Sequence, residues 1–202
     1  MLSNFLKRTA TSIILIIILT LGLYYNDISW KTLVIIFSFL CFYEFYKLIN
    51  KIYTNKFLIT IIYFLITIYF YLFYLLLIKT KIEFGEEIIL ILFFSCFFSD
   101  VGGYVVGKLI GGPKLTIISP NKTISGAFGS IIFTIIGTSL LLIFLKKIDK
   151  DPISIEFSFV IFVWMILMSV YCQIGDLFVS YLKRKAKVKD TGNILPGHGG
   201  IL

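Results

Sequence analysis

Long apolar runs alternate with short polar breaks along the whole chain. Spanning a hydrocarbon core of ~30 Å takes ~20 mostly apolar residues in a helix. Six stretches qualify: about Thr9–Tyr25, Thr32–Leu48, Phe57–Ile78, Glu87–Val106, Ile124–Leu145 and Phe157–Leu182. The last is long enough to continue past the bilayer as a helix. Its β-branched residues do not argue for strands, because lipid admits only helices or closed barrels, and a barrel's two-residue alternation is absent. The pattern predicts an all-α polytopic membrane protein with about six transmembrane helices. Lys7 and Arg8 precede the first apolar run, but Tyr24, Tyr25 and Asn26 follow it where a signal peptide would have small residues. An uncleaved first span is expected.

Composition agrees. Of 202 residues, 58% are hydrophobic and 15% charged, far from soluble averages. The net charge of +8 does not require nucleic acid as a partner, because basic residues of membrane proteins gather in cytoplasmic loops. Thirteen Lys and Arg lie in the amino-terminal tail, the second and fourth loops and the carboxy-terminal tail, against six in the other three loops. The positive-inside rule then puts both termini in the cytoplasm. Cys41, Cys96 and Cys172 lie far apart in sequence inside apolar runs without metal-ligand spacing, and read as buried thiols used as small apolar residues.

Acids within spans are costly and default to functional hypotheses. Asp100 lies roughly 20 Å along its helix from Glu87, Asp176 roughly 28 Å from Phe157, and Glu44 roughly 18 Å from Thr32. All three fall in the cytoplasmic half. Each has a plainer reading: Asp176 paired with Lys183 or Arg184 of its own helix, Asp100 as a satisfied acid within the bundle, Glu44 as a surface acid beside Lys47. The fourth span ends with Gly102, Gly103 and Gly107, where the spacing from Gly103 to Gly107 favours close helix packing as readily as ligand contact. Ser119, Lys122 and Thr123 precede the fifth span, where a helix amino terminus can receive an anion.

The tail is the other polar concentration. Lys183, Arg184, Lys185, Lys187 and Lys189 adjoin Asp190, and a glycine-rich turn with the chain's single histidine, His198, follows. Carboxylates without a Cys or His cluster suit Mg²⁺ better than Zn²⁺. Cations and glycine backbone around such an ion suit a polyphosphate. The residues therefore point to phosphoryl or nucleotidyl transfer at the cytoplasmic face, with the acceptor arriving from lipid and charge neutralisation doing most of the catalysis. A small transporter or channel is the rival from another class, with the tail as a surface anchor. It predicts polar residues through the whole bilayer depth.

Several stretches resemble the phosphatidate cytidylyltransferase (CDP-diacylglycerol synthase) family. They are Gln173-Ile174-Gly175-Asp176-Leu177, Ser180, Lys183-Arg184, Lys187-Val188-Lys189-Asp190, Gly192-Asn193 and Leu195-Pro196-Gly197-His198-Gly199-Gly200. Upstream, Asp100, Gly103-Tyr104, Gly107, Lys114-Leu115, Ser119-Pro120 and Lys122-Thr123 resemble its second conserved stretch. The likeness covers 99–202, read as a catalytic membrane region after amino-terminal helices in 1–98. It implies transfer of CMP from CTP to phosphatidic acid in the bilayer, giving CDP-diacylglycerol and pyrophosphate, with Mg²⁺ alone or with a second cation. It implies Asp176 as a metal carboxylate, Lys183, Arg184 and Lys189 as neutralisers of phosphate charge, and Asp190 as their orienter or the metal's. Asp100, Ser119, Lys122, Thr123, Ser180, Asn193, His198, Gly199 and Gly200 would contact substrate. The inner membrane and a homodimer are implied too. Two departures stand out. Ser125 precedes Gly126 where the family usually has an acid. The family's signature also continues into Asp-Arg-x-Asp, whereas this sequence stops at Leu202, so a truncated and inactive member is a further expectation.

Overall fold

The structure is a computed structural model that describes residues 2–148, 158–192, 194–195 and 199–202. The helices are α1 (Leu2–Tyr25), α2 (Asp27–Ile52), α3 (Lys56–Phe84), α4 (Glu86–Ile110), α5 (Ile124–Ile148) and α6 (Phe159–Lys185). Among the described residues there is no strand, only an isolated antiparallel bridge between Lys114 and Thr123. Among the described residues five helices are long and apolar enough to cross a membrane, and the apolar part of α1, Ala10–Tyr25, is shorter. The chain is an all-α, multi-pass membrane protein. Its helices outrun the apolar windows because polar flanks continue them: α2 begins at Asp27, and α3 ends at Phe84.

The chain forms two compact units, Met1–Glu86 with Leu182–Leu202, and Glu87–Tyr181. In the first, α2 packs against both α1 and α3. The Asn26 side chain accepts from the Ser29 backbone N–H at 2.6 Å, and the Ser29 hydroxyl accepts from Asn26 N–H at 3.3 Å. This reciprocal cap satisfies two amides that a helix start leaves open, which fixes α2 at Asp27. Lys81, almost wholly buried, donates to the Leu23 carbonyl at 2.9 Å and pairs with Asp27 at 3.0 Å and Glu86 at 3.5 Å. One ammonium thus satisfies an orphan carbonyl at the end of α1 and binds the start of α2 to the end of α3.

The last turn of α6 closes with Val188 N–H donating to the Lys183 carbonyl (2.9 Å) and Lys187 N–H to the Arg184 carbonyl (3.0 Å). This is a Schellman-type stop, with Lys187 in the left-handed region at φ 53° where glycine is usual. Val188 then packs with Leu202 on the cluster of Leu48, Leu182 and Ala186. Carrying the tail onto α2 in this way is what places the residues discussed below.

In the second unit α4 and α5 meet through glycines. A Cβ added at Gly102 would lie 2.5 Å from the Gly129 carbonyl oxygen, and one at Gly126 would lie 2.8 Å from that of Gly103. Only residues without side chains permit such an approach, so these glycines pack helices, as the small-residue spacing suggests. Ile91, Leu142 and Met165 form the apolar core of α4, α5 and α6. Buried hydroxyls also join these helices: Ser95 with Thr138 and Ser99 with Ser169, each at 3.1 Å. The cysteines correct an expectation. Cys172 and Cys96 approach to 2.9 Å, and all three thiols are partly rather than fully buried. Residues 76 apart meet because α4 and α6 lie side by side, which spacing along the chain does not reveal.

Candidate active site

The site of the second unit is built on the segment between α4 and α5. Gly111 and Gly112, at φ 66° and 104°, turn the chain out of α4. Leu115 N–H donates to the Lys122 carbonyl (2.8 Å), Lys122 N–H to that of Ser119 (3.0 Å) and Ile124 N–H to that of Pro113 (3.0 Å). The segment is therefore a pinned loop that returns Lys122 to the head of α5. Thr123 caps α5 by accepting from Gly126 N–H at 3.1 Å and shares a 3.0 Å hydrogen bond with Ser125. Ser125 in turn donates to the Gly111 carbonyl. The Ser125 hydroxyl thus holds the loop closed.

Lys122, fixed by this loop, forms an ion pair with Asp176 of α6. The plainer pairing of Asp176 with Lys183 or Arg184 is not the one formed. Lys122 and Asp176 line a cavity of about 390 Å³ together with Asp100, Ser119 and Thr123. Five expected site residues, from two helices and one loop, therefore converge. The walls add Tyr104, Asn121, Ser130 and Gln173, which sequence reasoning had not placed among the site residues. Gln173 donates to the Ala127 carbonyl and to Ser169, both at 3.3 Å, so its carbonyl oxygen keeps a fixed direction. A signal existed for two of these. Gln173 lies three residues before Asp176, and Ser130 lies four after Gly126, on the same helix faces.

Among the described residues no group of three His, Cys, Asp or Glu is gathered. The cavity offers two carboxylates, Asp100 and Asp176, with neutral amide and hydroxyl oxygens. This all-oxygen set fits Mg²⁺, which is commonly held by one or two carboxylates and completed by water and substrate phosphate.

Ser180 lies one turn beyond Asp176 on α6 and is half-buried. Lys183, Arg184, Lys189 and Asp190 belong to the other unit; Lys183 is half-buried and the other three exposed. There Gly192 N–H donates to the Gly199 carbonyl at 3.0 Å, closing a loop whose Gly199 backs onto the Asp190 carboxylate. Asn193 and His198 lie outside the described residues.

Glu44 differs from the expectation of a surface acid beside Lys47. It is fully buried, while the Lys47 ammonium sits 4.2 Å from the centre of the Tyr43 ring. The Glu44 carboxylate accepts from the Thr191 hydroxyl at 2.5 Å, from Ile201 N–H at 2.9 and 3.0 Å, and from Leu202 N–H at 3.0 Å. The tail supplies the donors that make this burial tolerable.

A family model described as "Cytidylyltransferase family" matches residues 53–202. A Staphylococcus saprophyticus protein named phosphatidate cytidylyltransferase is 38% identical over 133 residues, covering 64% of this chain and 47% of that protein. Proteins of the same name from Helicobacter pylori strain J99 and Bacillus subtilis strain 168 are 42% and 41% identical, over 59% and 55% of this chain. The matches cover 42% and 40% of those two proteins, so the chain spans less than half the length of these relatives. With three-quarters of its residues inside the family match, cavity included, the chain belongs to the cytidylyltransferase family.

Proposed function

We propose that this chain transfers CMP from CTP to phosphatidic acid, yielding CDP-diacylglycerol and pyrophosphate. The observation that carries the reading is the cavity on which Asp100, Asp176 and Lys122 converge within a bundle of membrane-spanning helices. In the reaction a phosphate oxygen of phosphatidic acid attacks the α-phosphorus of CTP. The bond from that phosphorus to the β-bridging oxygen breaks, and pyrophosphate leaves. No side-chain nucleophile is needed, because such transfers depend on positioning and charge neutralisation.

Lys122 answers the charge requirement from the protein side. Its ammonium sits on Asp176 and can turn to phosphate oxygens when substrate enters. Ser119 and Asn121 would donate to phosphate oxygens, and Gln173 would orient its neighbours on the wall. Asp176 and Asp100 would hold Mg²⁺, which supplies charge neutralisation on the phosphates when bound. The roles of Lys183, Arg184, Lys189 and Asp190 on substrate phosphate rest on the sequence resemblance. A cytoplasmic site in the inner membrane is supported by the bias of Lys and Arg toward one set of loops.

The test is incubation of membranes carrying the chain with radiolabelled CTP, phosphatidic acid and Mg²⁺, followed by extraction of labelled lipid. Label should enter CDP-diacylglycerol, and chelation of divalent cations should stop it. Absence of labelled lipid in the presence of verified folded chain would overturn the reading, as would equal labelling by Asp176→Asn.

A further inference from the structure

Glu44 is a buried carboxylate that the proposed reaction does not use. Its surroundings are specific. Both of its oxygens are engaged by the tail, and among the described residues its donors are a hydroxyl, that of Thr191, and two backbone amides, those of Ile201 and Leu202. Two glycines keep the space open. A Cβ at Gly192 would lie 2.8 Å from Glu44 Oε1, and one at Gly200, which has φ 134°, would lie 2.8 Å from Oε2. Gly192 N–H also donates to the Gly199 carbonyl, so the two ends of the glycine-rich loop are tied across the same carboxylate.

The donors bracket the loop: Thr191 stands at its start, Ile201 and Leu202 at its end. Asp190 precedes Thr191 directly, and Gly199 packs on the Asp190 carboxylate. Holding both ends therefore fixes Asp190 and the short run from Lys187 onward. A buried carboxylate is poorly tolerated unless its donors stay in place, so helix α2 and the loop hold each other. Solvation of a surface acid would not place three donors on one side chain. Simple helix packing would use an apolar residue at a fully buried position.

We infer that Glu44 is a positioning residue, the anchor on α2 that fixes Thr191, Ile201 and Leu202, and with them Asp190, for the transfer reaction. Its kinetic consequence rests on the proposed transfer of CMP; the anchoring itself does not. Hydrogen exchange on the full chain in detergent separates the two. In the unaltered chain the amides of Ile201 and Leu202 should exchange slowly. In Glu44→Gln, which presents an amide N–H₂ to donors, they should exchange at least about tenfold faster, with protection of the rest of α2 retained. CDP-diacylglycerol formation per folded molecule should fall at least about tenfold in kcat. Should Glu44→Gln not fold, Thr191→Val removes a single donor and carries the same readouts with a smaller change. Unchanged exchange at Ile201 and Leu202 would overturn the anchor. A freed loop with unchanged kcat would overturn its role in the reaction. If the unaltered chain makes no CDP-diacylglycerol, the transfer reading fails, and exchange alone still decides the anchor.

Discussion

Asp176 and Glu44 are both acids on long apolar helices, yet the structure treats them in opposite ways. Asp176 keeps about half of its side chain exposed, faces a cavity and has a lysine as its partner. Glu44 is wholly buried and satisfied by a hydroxyl and two backbone amides. A lysine on a loop can exchange its carboxylate for a ligand's phosphate at little cost, because one charged contact replaces another. Backbone donors cannot leave without moving the chain that carries them. The first arrangement suits a residue that meets substrate, and the second suits one that holds a loop still.

Removing charge from each member of the cavity pair should break that contrast most sharply. Asp176→Asn keeps the shape and loses the carboxylate, so CTP-dependent lipid labelling should fall by at least about 100-fold while the protein remains folded. Lys122→Met should cost less, about tenfold or more in kcat/KM, mainly through weaker retention of CTP. The double variant should be little worse than Asp176→Asn alone, since the two side chains act on one charge balance. Fully additive losses would show that they work independently.

The same contrast explains what the sequence disclosed. The helices are legible because lipid leaves few alternatives to a helix for a long apolar run. Asp100 and Asp176 are legible as a group because charges are rare within spans and both lie toward the same end of theirs, beside the loop that carries Lys122. The pairing within the group is not. Lys183 and Arg184 are nearest to Asp176 in sequence, but they stand seven and eight residues on, roughly 10–12 Å along the helix. Lys122 reaches it from a loop whose path depends on Gly111, Gly112 and the Thr123 cap. Glu44 was harder still. Among the described residues, two of its three partners are backbone amides, and an amide leaves no mark on residue identity.

Gly200→Ala probes the satisfied carboxylate from the opposite side. At φ 134° an alanine is strained, and its methyl group would collide with the Thr191 hydroxyl and press on Glu44. The expected cost is about 1–3 kcal/mol, concentrated in the tail. Hydrogen exchange should quicken at Ile201 and Leu202, with α4 and α5 unaffected. Kinetic losses should be smaller than for Asp176→Asn, because every charged group remains. Equal losses in the two variants would erase the distinction between a group that meets substrate and one that holds a loop.

The smallest effect should come from Lys187, and it has the opposite sign. This residue ends α6 with φ 53°, in the region where a side chain crowds the following carbonyl. Glycine carries no such penalty and is the common choice at this position of a Schellman stop. Lys187→Gly should stabilise the chain by up to about 1 kcal/mol, read as a small rise in the detergent unfolding midpoint. The backbone bonds that define the stop, from Val188 to Lys183 and from Lys187 to Arg184, use no side-chain atom of Lys187 and should persist. Because Val188 carries the chain from that stop to the cluster on α2, a firmer stop should also slow exchange at Ile201 and Leu202 slightly. Faster exchange there would mean that the lysine side chain, and not the backbone turn, directs the tail toward Glu44.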